Sequence, residues 1–366
     1  MKRLLLFGAA LVAGALLAGC AGTGYYWQSL RGHLALLNAA RPLPQWIADP
    51  ATPEPLRERL QLAERVRAFA VRELALPDNA SYHRYARIDR RAAVWNVVAA
   101  PPYALTLHTW CFPITGCVGY RGYFDEADAR AEAARLAATG LEVSVYGVPA
   151  YSTLGYSNWL GGDPLLSTWV AWPEGDFVRL MLHELAHQKV YASGDTRFNE
   201  SYATAVERLG TTRWLAEHAS AAARAAFQAS EQRREEWRAL TRATRERLTE
   251  IYASNQPPAP DTQALAAMKF DAMDAFRSRY AQLRARWMEH EIPAAQLAPL
   301  DRWVREANNA SFAAQGAYDD LVPNFVALFA REGADWTRFH AAVARLAALP
   351  SAQRQAELDA MRAAPQ

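Results

Sequence analysis

The sequence predicts an α+β fold that is mainly helical, and three features carry that expectation. Alternating or apolar runs of strand length are confined to residues 94–148 and to one stretch at Leu166–Trp172. From Phe177 onward almost every segment repeats its apolar residues at helical spacing. Two long amphipathic segments also flank Pro257-Pro258-Ala259-Pro260, which no helix continues through.

Taken in order, residues 27–40 and 55–76 read as helices, the second with Leu56, Leu60, Val66, Phe69 and Leu74 on one face. Strand-like runs follow at Val94–Val98, Leu105–Cys111 and Gly119–Phe124. Asp125–Thr139 is an alanine-rich helix with Asp125 as N-cap and Gly140 as stop. Leu141–Val148 alternates like a strand, and Leu166–Trp172 is a further candidate. Trp237, Leu240, Leu248 and Ile251 mark one long helix, and Met273, Phe276, Tyr280, Leu283 and Trp287 a second. Together they suggest an inserted antiparallel helical hairpin over residues 221–290. Its charged run Arg233-Arg234-Glu235-Glu236 reads as solvated surface. More helix follows from Leu297, with Pro323 starting or kinking one. The expected organisation is a helical segment at 20–92, the sheet and the chemistry-bearing helices at 93–220, the hairpin, and C-terminal helices at 291–366.

The 366 residues are 51% apolar, enough for a sizeable core. Lys and Arg number 40 against 38 Asp and Glu, a net charge of +2, which gives no electrostatic case for nucleic acid. At the N-terminus, Lys2 and Arg3 precede an apolar run from Leu4 to Leu17, short for a membrane span and suited to a secretory signal. The run closes on Leu17-Ala18-Gly19-Cys20, which resembles a bacterial lipobox; an ordinary signal with a chance cysteine is the alternative. A lipobox makes residues 1–19 a signal peptide and Cys20 the lipidated N-terminus, anchored in a membrane. Ala21 in place of aspartate implies the periplasmic face of the outer membrane. The other two cysteines, Cys111 and Cys117, enclose Phe-Pro-Ile-Thr-Gly. In an oxidising compartment such a pair closes a loop as a disulfide. A two-thiolate metal site is the competing reading, with no second Cys or His pair nearby in sequence.

The chemistry concentrates in His183-Glu184-Leu185-Ala186-His187, on a helix capped by Gly175-Asp176 and stopped at Ser193-Gly194. Positions four apart share a helix face, so both imidazoles reach one zinc ion while Glu184 faces the water to be activated. The bland alternative is a buried helix with two satisfied histidines. Each polar group would then need a partner, since unpaired burial costs roughly 2–7 kcal/mol. A metzincin would carry Gly at 190 and His at 193, where this chain has Val190 and Ser193. Instead, a second helix begins after Gly194 with Glu200 in its first turn or two, preceded by Asn199. A following-helix carboxylate is how gluzincins complete a His₂Glu site with one open position. Glu207, two turns further, is either a partner for a ligating histidine or a surface carboxylate, and Thr204 is another supporting candidate.

The run MLHELAHQKVYASGDTRFNESYATAVERLG, together with the lipobox, resembles the putative aminopeptidase family of bacterial lipoproteins within the HExxH zincins. CFPITGCVGYRGYF, GVPAYSTLGYSNWLGGDPLLST and NNASFAAQGAYDDLVPNFVALF extend that resemblance over nearly the whole chain after Cys20. It implies a zincin-like metallopeptidase domain holding one zinc ion and acting on peptides as an aminopeptidase. Two roles stay open. The oxyanion donor could be Tyr120, Tyr151, Tyr156 or Tyr318, each of which could equally be packing. The acid that holds the substrate amine could be Asp125, Glu126, Glu142 or Asp163, since a GxMxN-type motif is absent. The Leu141–Val148 strand could pair with an extended peptide. The expected function is zinc-assisted peptide hydrolysis at the cell envelope. The alternatives are a hydrolase for other envelope amides, such as peptidoglycan peptides, and a non-catalytic lipoprotein that binds a partner through its hairpin.

Overall fold

The computed structural model describes residues 24–112, 116–155, 158–253, 262–290 and 292–363. The signal segment, Cys20, Tyr156 and the Pro257–Pro260 break lie outside the described residues. The first part of the chain runs α1 (24–39), β1 (Ala40–Pro42), α2 (Leu43–Ala48), α3 (Glu54–Leu74), β2 (Arg84–Ala86) and β3 (Val94–Ala100). Next come β4 (Trp110–Phe112), β5 (Gly116–Val118), β6 (Arg121–Tyr123), α4 (Glu126–Ala137), β7 (Glu142–Val148) and β8 (Leu165–Leu166). Helices complete it: α5 (Glu174–His187), α6 (Thr196–Glu217), α7 (Ala221–Ala253), α8 (Thr262–Glu289), α9 (Ala294–Glu306), α10 (Asn309–Asp319), α11 (Val322–Arg331), α12 (Trp336–Ala347) and α13 (Ser351–Ala363). The molecule is thus mainly helical, an α+β fold with small sheets. No helix among the described residues is long and apolar enough to cross a membrane.

The sheet that matters for the site is β6-β3-β7, antiparallel throughout, with Asn96 opposite Tyr146 and Val94 opposite Val148. Strand side chains alternate between faces. Trp95, Val97, Val143 and Val145 therefore meet α4, while Val98, Ala100 and Tyr146 face the opposite way and pack with Ala310 and Ala314 of α10. The sheet is covered on both faces, which is why β3 is buried along its whole length.

α5 is apolar nearly all round, as a central helix is: Phe177, Val178, Met181, Leu182, Leu185 and Ala186 are fully enclosed. It packs along α6, whose Phe198 and Tyr202 meet Phe325 of α11. The same core takes side chains from Leu36 in α1 to Leu358 in α13. A second core joins α7, α8, α9 and α10, with the Trp237 ring 6.1 Å from Phe276 and 5.8 Å from Tyr280.

Several expectations need correction. α5 begins at Glu174 behind Pro173, so Gly175 and Asp176 are not its cap. Phe227 covers Gly175, where a Cβ would stand 2.3 Å from its ring, and Asp176 accepts from Arg234 at 2.6 Å instead. α5 also ends at His187 and not at Ser193-Gly194, because the amides of Gln188 and Lys189 turn back to Leu185 and Ala186. Leu166–Trp172 is not a strand beyond Leu166: the amides of Trp169 and Val170 close onto the Leu166 carbonyl. In Leu105–Cys111 only the last two residues pair, through β4. Nor is Arg233-Arg234-Glu235-Glu236 simply solvated, since Arg234 binds Asp176 and Glu231, and Glu236 accepts from the Trp287 indole.

Candidate metal centre

His183 and His187 stand one turn apart on α5 with their Nε2 atoms 3.1 Å from each other. Glu200 approaches from α6, its Oε2 at 3.3 Å from His183 Nε2 and 3.5 Å from His187 Nε2. All three residues are buried, and one ligand atom from each falls within 4.8 Å of the others. This group could hold a metal ion.

The turn between the helices is what brings Glu200 back. The Asp195 carboxylate caps α6 by accepting from the Phe198 amide at 3.0 Å. Asn199 then bonds both backbone groups of Ala192, accepting from its N–H at 2.7 Å and donating to its carbonyl at 2.8 Å. Arg354 of α13 holds Asp195 from outside at 2.6 Å. The β4–β5 hairpin, closed by a Cys111–Cys117 disulfide, lies against the same turn. Gly116, at φ 73°, approaches so closely that a Cβ would sit 2.7 Å from the Gly194 nitrogen. Asn199→Ala leaves the buried Ala192 N–H unpaired at roughly 1–3 kcal/mol, while the Ala192 carbonyl keeps the Asp195 amide. We expect a lower urea midpoint together with weaker metal binding; an unchanged midpoint would contradict the clamp.

Behind His183 runs a chain of charges. Its Nδ1–H donates to Glu207 Oε2 at 2.9 Å, and Glu207 is bridged to Arg179 at 2.6 Å. Arg179 reaches Glu231 of α7 at 3.3 Å, and Glu231 also binds Arg238. With Nδ1 committed as the donor, a neutral His183 would turn its Nε2 lone pair toward Glu200, so the position must be filled by a proton or a metal. Glu200 Oε2 and His187 Nδ1 lack any properly oriented hydrogen-bond partner among the described residues. A lone pair facing a buried carboxylate oxygen is repulsive unless a cation stands between them, so the donor set fits a divalent metal. Burial opposes ionisation of Glu200 and Glu207 most strongly. His187 and His183 beside the first, and Arg179 and His183 beside the second, outweigh it and hold both far below the usual carboxylate range. Burial likewise disfavours charge on His183, but Glu200 and Glu207 raise it. A proton on His183 thus meets the negative charge that a metal would otherwise meet.

A cavity of about 300 Å³ borders His183, Glu184, Thr204, Glu207 and Tyr318. Glu184 is half-buried at this cavity, and burial raises its carboxyl, with Glu200 and Asp163 adding to the rise and the two histidines opposing it. Three tyrosines surround the group. The Tyr318 ring stacks on His183 at 6.1 Å, and burial, with Glu200 next, takes the Tyr318 hydroxyl well above its ordinary value. Tyr120 is raised in the same way, and Tyr146 is raised to about 12, first by burial. Tyr151 lies elsewhere, against Phe124 and His33.

None of the four acids considered for amine binding borders the cavity. Asp125 caps α4, Glu126 pairs with Arg91 and Arg130, and Glu142 with Lys269 and the Asn309 amide. Asp163 holds Thr153 and Gln188. Arg179 and Tyr146 were missed in the sequence. Arg179 sits one turn before His183, and Tyr146 shares a strand face with Val148. Those periodicities were visible, whereas the partners on α6 and α10 were not.

A family model with the description "Putative aminopeptidase" matches residues 24–358. No curated protein and no solved structure matches the chain.

Proposed function

Since the chain belongs to the family described as "Putative aminopeptidase", we propose that it is a zinc-dependent peptidase, with His183, His187 and Glu200 as metal ligands and Glu184 as general base. The observation that carries this reading is the convergence of three buried ligand atoms within 4.8 Å beside a cavity that Glu184 also borders. Two imidazoles and one carboxylate on neighbouring helices make a zincin-like donor set of the gluzincin kind.

A bound zinc ion would act as a Lewis acid toward a water molecule and the scissile carbonyl. The residues do the rest. Glu184 takes the proton from the attacking water and returns it to the leaving amine, and burial, by raising its carboxyl, makes it a stronger base for that task. Tyr318, kept protonated by burial and stacked on His183 at the same cavity, is our candidate donor to the developing oxyanion. Glu207 fixes the His183 ring and its tautomer, with Arg179 fixing Glu207 in turn. The remaining supporting candidate, Thr204, is buried at the same cavity.

The lipobox-like Leu17-Ala18-Gly19-Cys20 supports a location at the cell envelope, with Cys20 lipid-anchored at the periplasmic face of the outer membrane. The test of activity is mass spectrometry of peptides incubated with the zinc-loaded protein. An aminopeptidase releases the first residue from free peptides and spares N-acetylated copies. Cleavage confined to muropeptides would favour a peptidoglycan hydrolase, and no cleavage at all would contradict the reading.

Glu207→Gln tests the support of His183. The amide is a weaker acceptor and no longer balances Arg179, so we expect zinc affinity to fall about 10–100-fold. Competition with a chromogenic chelator measures this directly, and an affinity equal to the parent's would remove Glu207 from the site.

A further inference from the structure

Three guanidinium groups border the cavity at the metal centre: Arg179, Arg208 and Arg238. Two are committed to protein carboxylates. Arg179 is held by Glu207 at 2.6 Å and Glu231 at 3.3 Å, and Arg238 by Glu231 and by Glu235 at 2.8 Å. Arg208 differs. Its Nη2 donates to Asp319 at 2.8 Å, and its Nε is buried without an acceptor among the described residues. The side chain keeps about a third of its surface exposed, at 32%. A guanidinium has five N–H donors in a planar fork matched to a carboxylate, so Arg208 retains donors for an anion from outside the chain.

Its position sets the length of what it can bind. Glu200 and Arg208 lie on the same helix, and their spacing corresponds to about 12 Å of helical rise. An extended peptide advances about 3.3 Å per residue. A carboxylate three or four residues beyond a bond cleaved at the metal centre, roughly 10–13 Å away, therefore comes level with Arg208. The small cavity, about 300 Å³, stands at the lower end for ligand sites and suits a short substrate.

We propose that Arg208 is a carboxylate-binding subsite that selects tetrapeptides and pentapeptides with a free C-terminus. The proposal rests on the peptidase reading for what lies at the metal centre. Asp319 tunes it: by occupying one edge of the fork it holds the guanidinium at the cavity wall and leaves the remaining donors for the substrate. Burial, with Arg238 next, disfavours the Arg208 charge while Asp319 favours it, so an arriving carboxylate would meet an under-compensated cation.

The test compares tetraalanine with its C-terminal amide on the zinc-loaded protein. The parent should show kcat/KM at least tenfold higher for the acid, and Arg208→Met should bring the acid-to-amide ratio close to one. Asp319→Asn, which frees the fork and keeps its charge, should preserve or raise the ratio. A parent ratio near one, or a ratio that survives Arg208→Met, overturns the subsite. If neither peptide is cleaved, the peptidase reading fails, and calorimetric binding of the same two peptides to the zinc-loaded Glu184→Gln variant still decides. Tighter binding of the acid supports the subsite, and equal binding or none overturns it.

Discussion

Glu184→Gln keeps the metal and lowers peptide hydrolysis by about 10²–10⁴-fold, the range of a positioned general base. The amide is nearly the same size as the carboxylate, so the cavity keeps its shape, but it has no basic oxygen to accept the proton of an attacking water. Glu184 is also the one acidic residue of the motif that does not join the ligand group, which comprises His183, His187 and Glu200. Removing its charge should therefore leave metal content unchanged and act on kcat much more than on KM. Metal analysis and steady-state kinetics on the same preparation separate the two effects. Retained activity would mean that another group accepts the proton, and lost metal would mean that the carboxylate is a ligand.

Glu200→Ala is expected to have the larger consequence for the metal. It removes one of three ligand groups and leaves two buried imidazoles with Nε2 atoms 3.1 Å apart and no carboxylate opposite them. The loss in zinc affinity should exceed the about 10–100-fold expected for a supporting partner, and activity should vanish with it. A thermodynamic signature accompanies this. A ligand that binds only the folded state stabilises it by about 2.7 kcal/mol at a concentration one hundred times its Kd. Added zinc should thus raise the melting temperature of the chelator-stripped parent and leave that of Glu200→Ala unmoved. Equal zinc-dependent shifts in the two proteins would exclude Glu200 from the ligand set.

The two substitutions differ because they touch different parts of one local design, and that design was partly legible in the residues. Histidines four apart and a carboxylate on the next helix are local features, so the predicted ligand trio needed only one helix, one turn and a second helix. Asp125 as a cap and Leu141–Val148 as a strand were readable for the same reason, because the observed α4 and β7 differ only at their ends. The bounds of α5 were less so. Phe227, from α7, covers Gly175 and removes it as a cap, a tertiary contact that no local pattern encodes. What surrounds the trio was less legible: Tyr120, arriving with the disulfide hairpin, and Tyr318, from α10, were two of four candidates, and Tyr146, from a strand face, was not among them. Glu231 belongs to a helix whose charges looked solvated, yet it backs the Arg179–Glu207 pair behind His183. Helical spacing identifies which residues share a face; the choice of partner for that face depends on contacts distant in sequence.

The central claim is that His183, His187 and Glu200 bind one divalent cation, and anomalous diffraction across the zinc absorption edge tests it most directly. The account predicts a single strong peak about 2.0–2.2 Å from both Nε2 atoms and from a Glu200 carboxylate oxygen. Crystals grown with stoichiometric zinc that show no peak between these three side chains, or a peak elsewhere in the molecule alone, would contradict it.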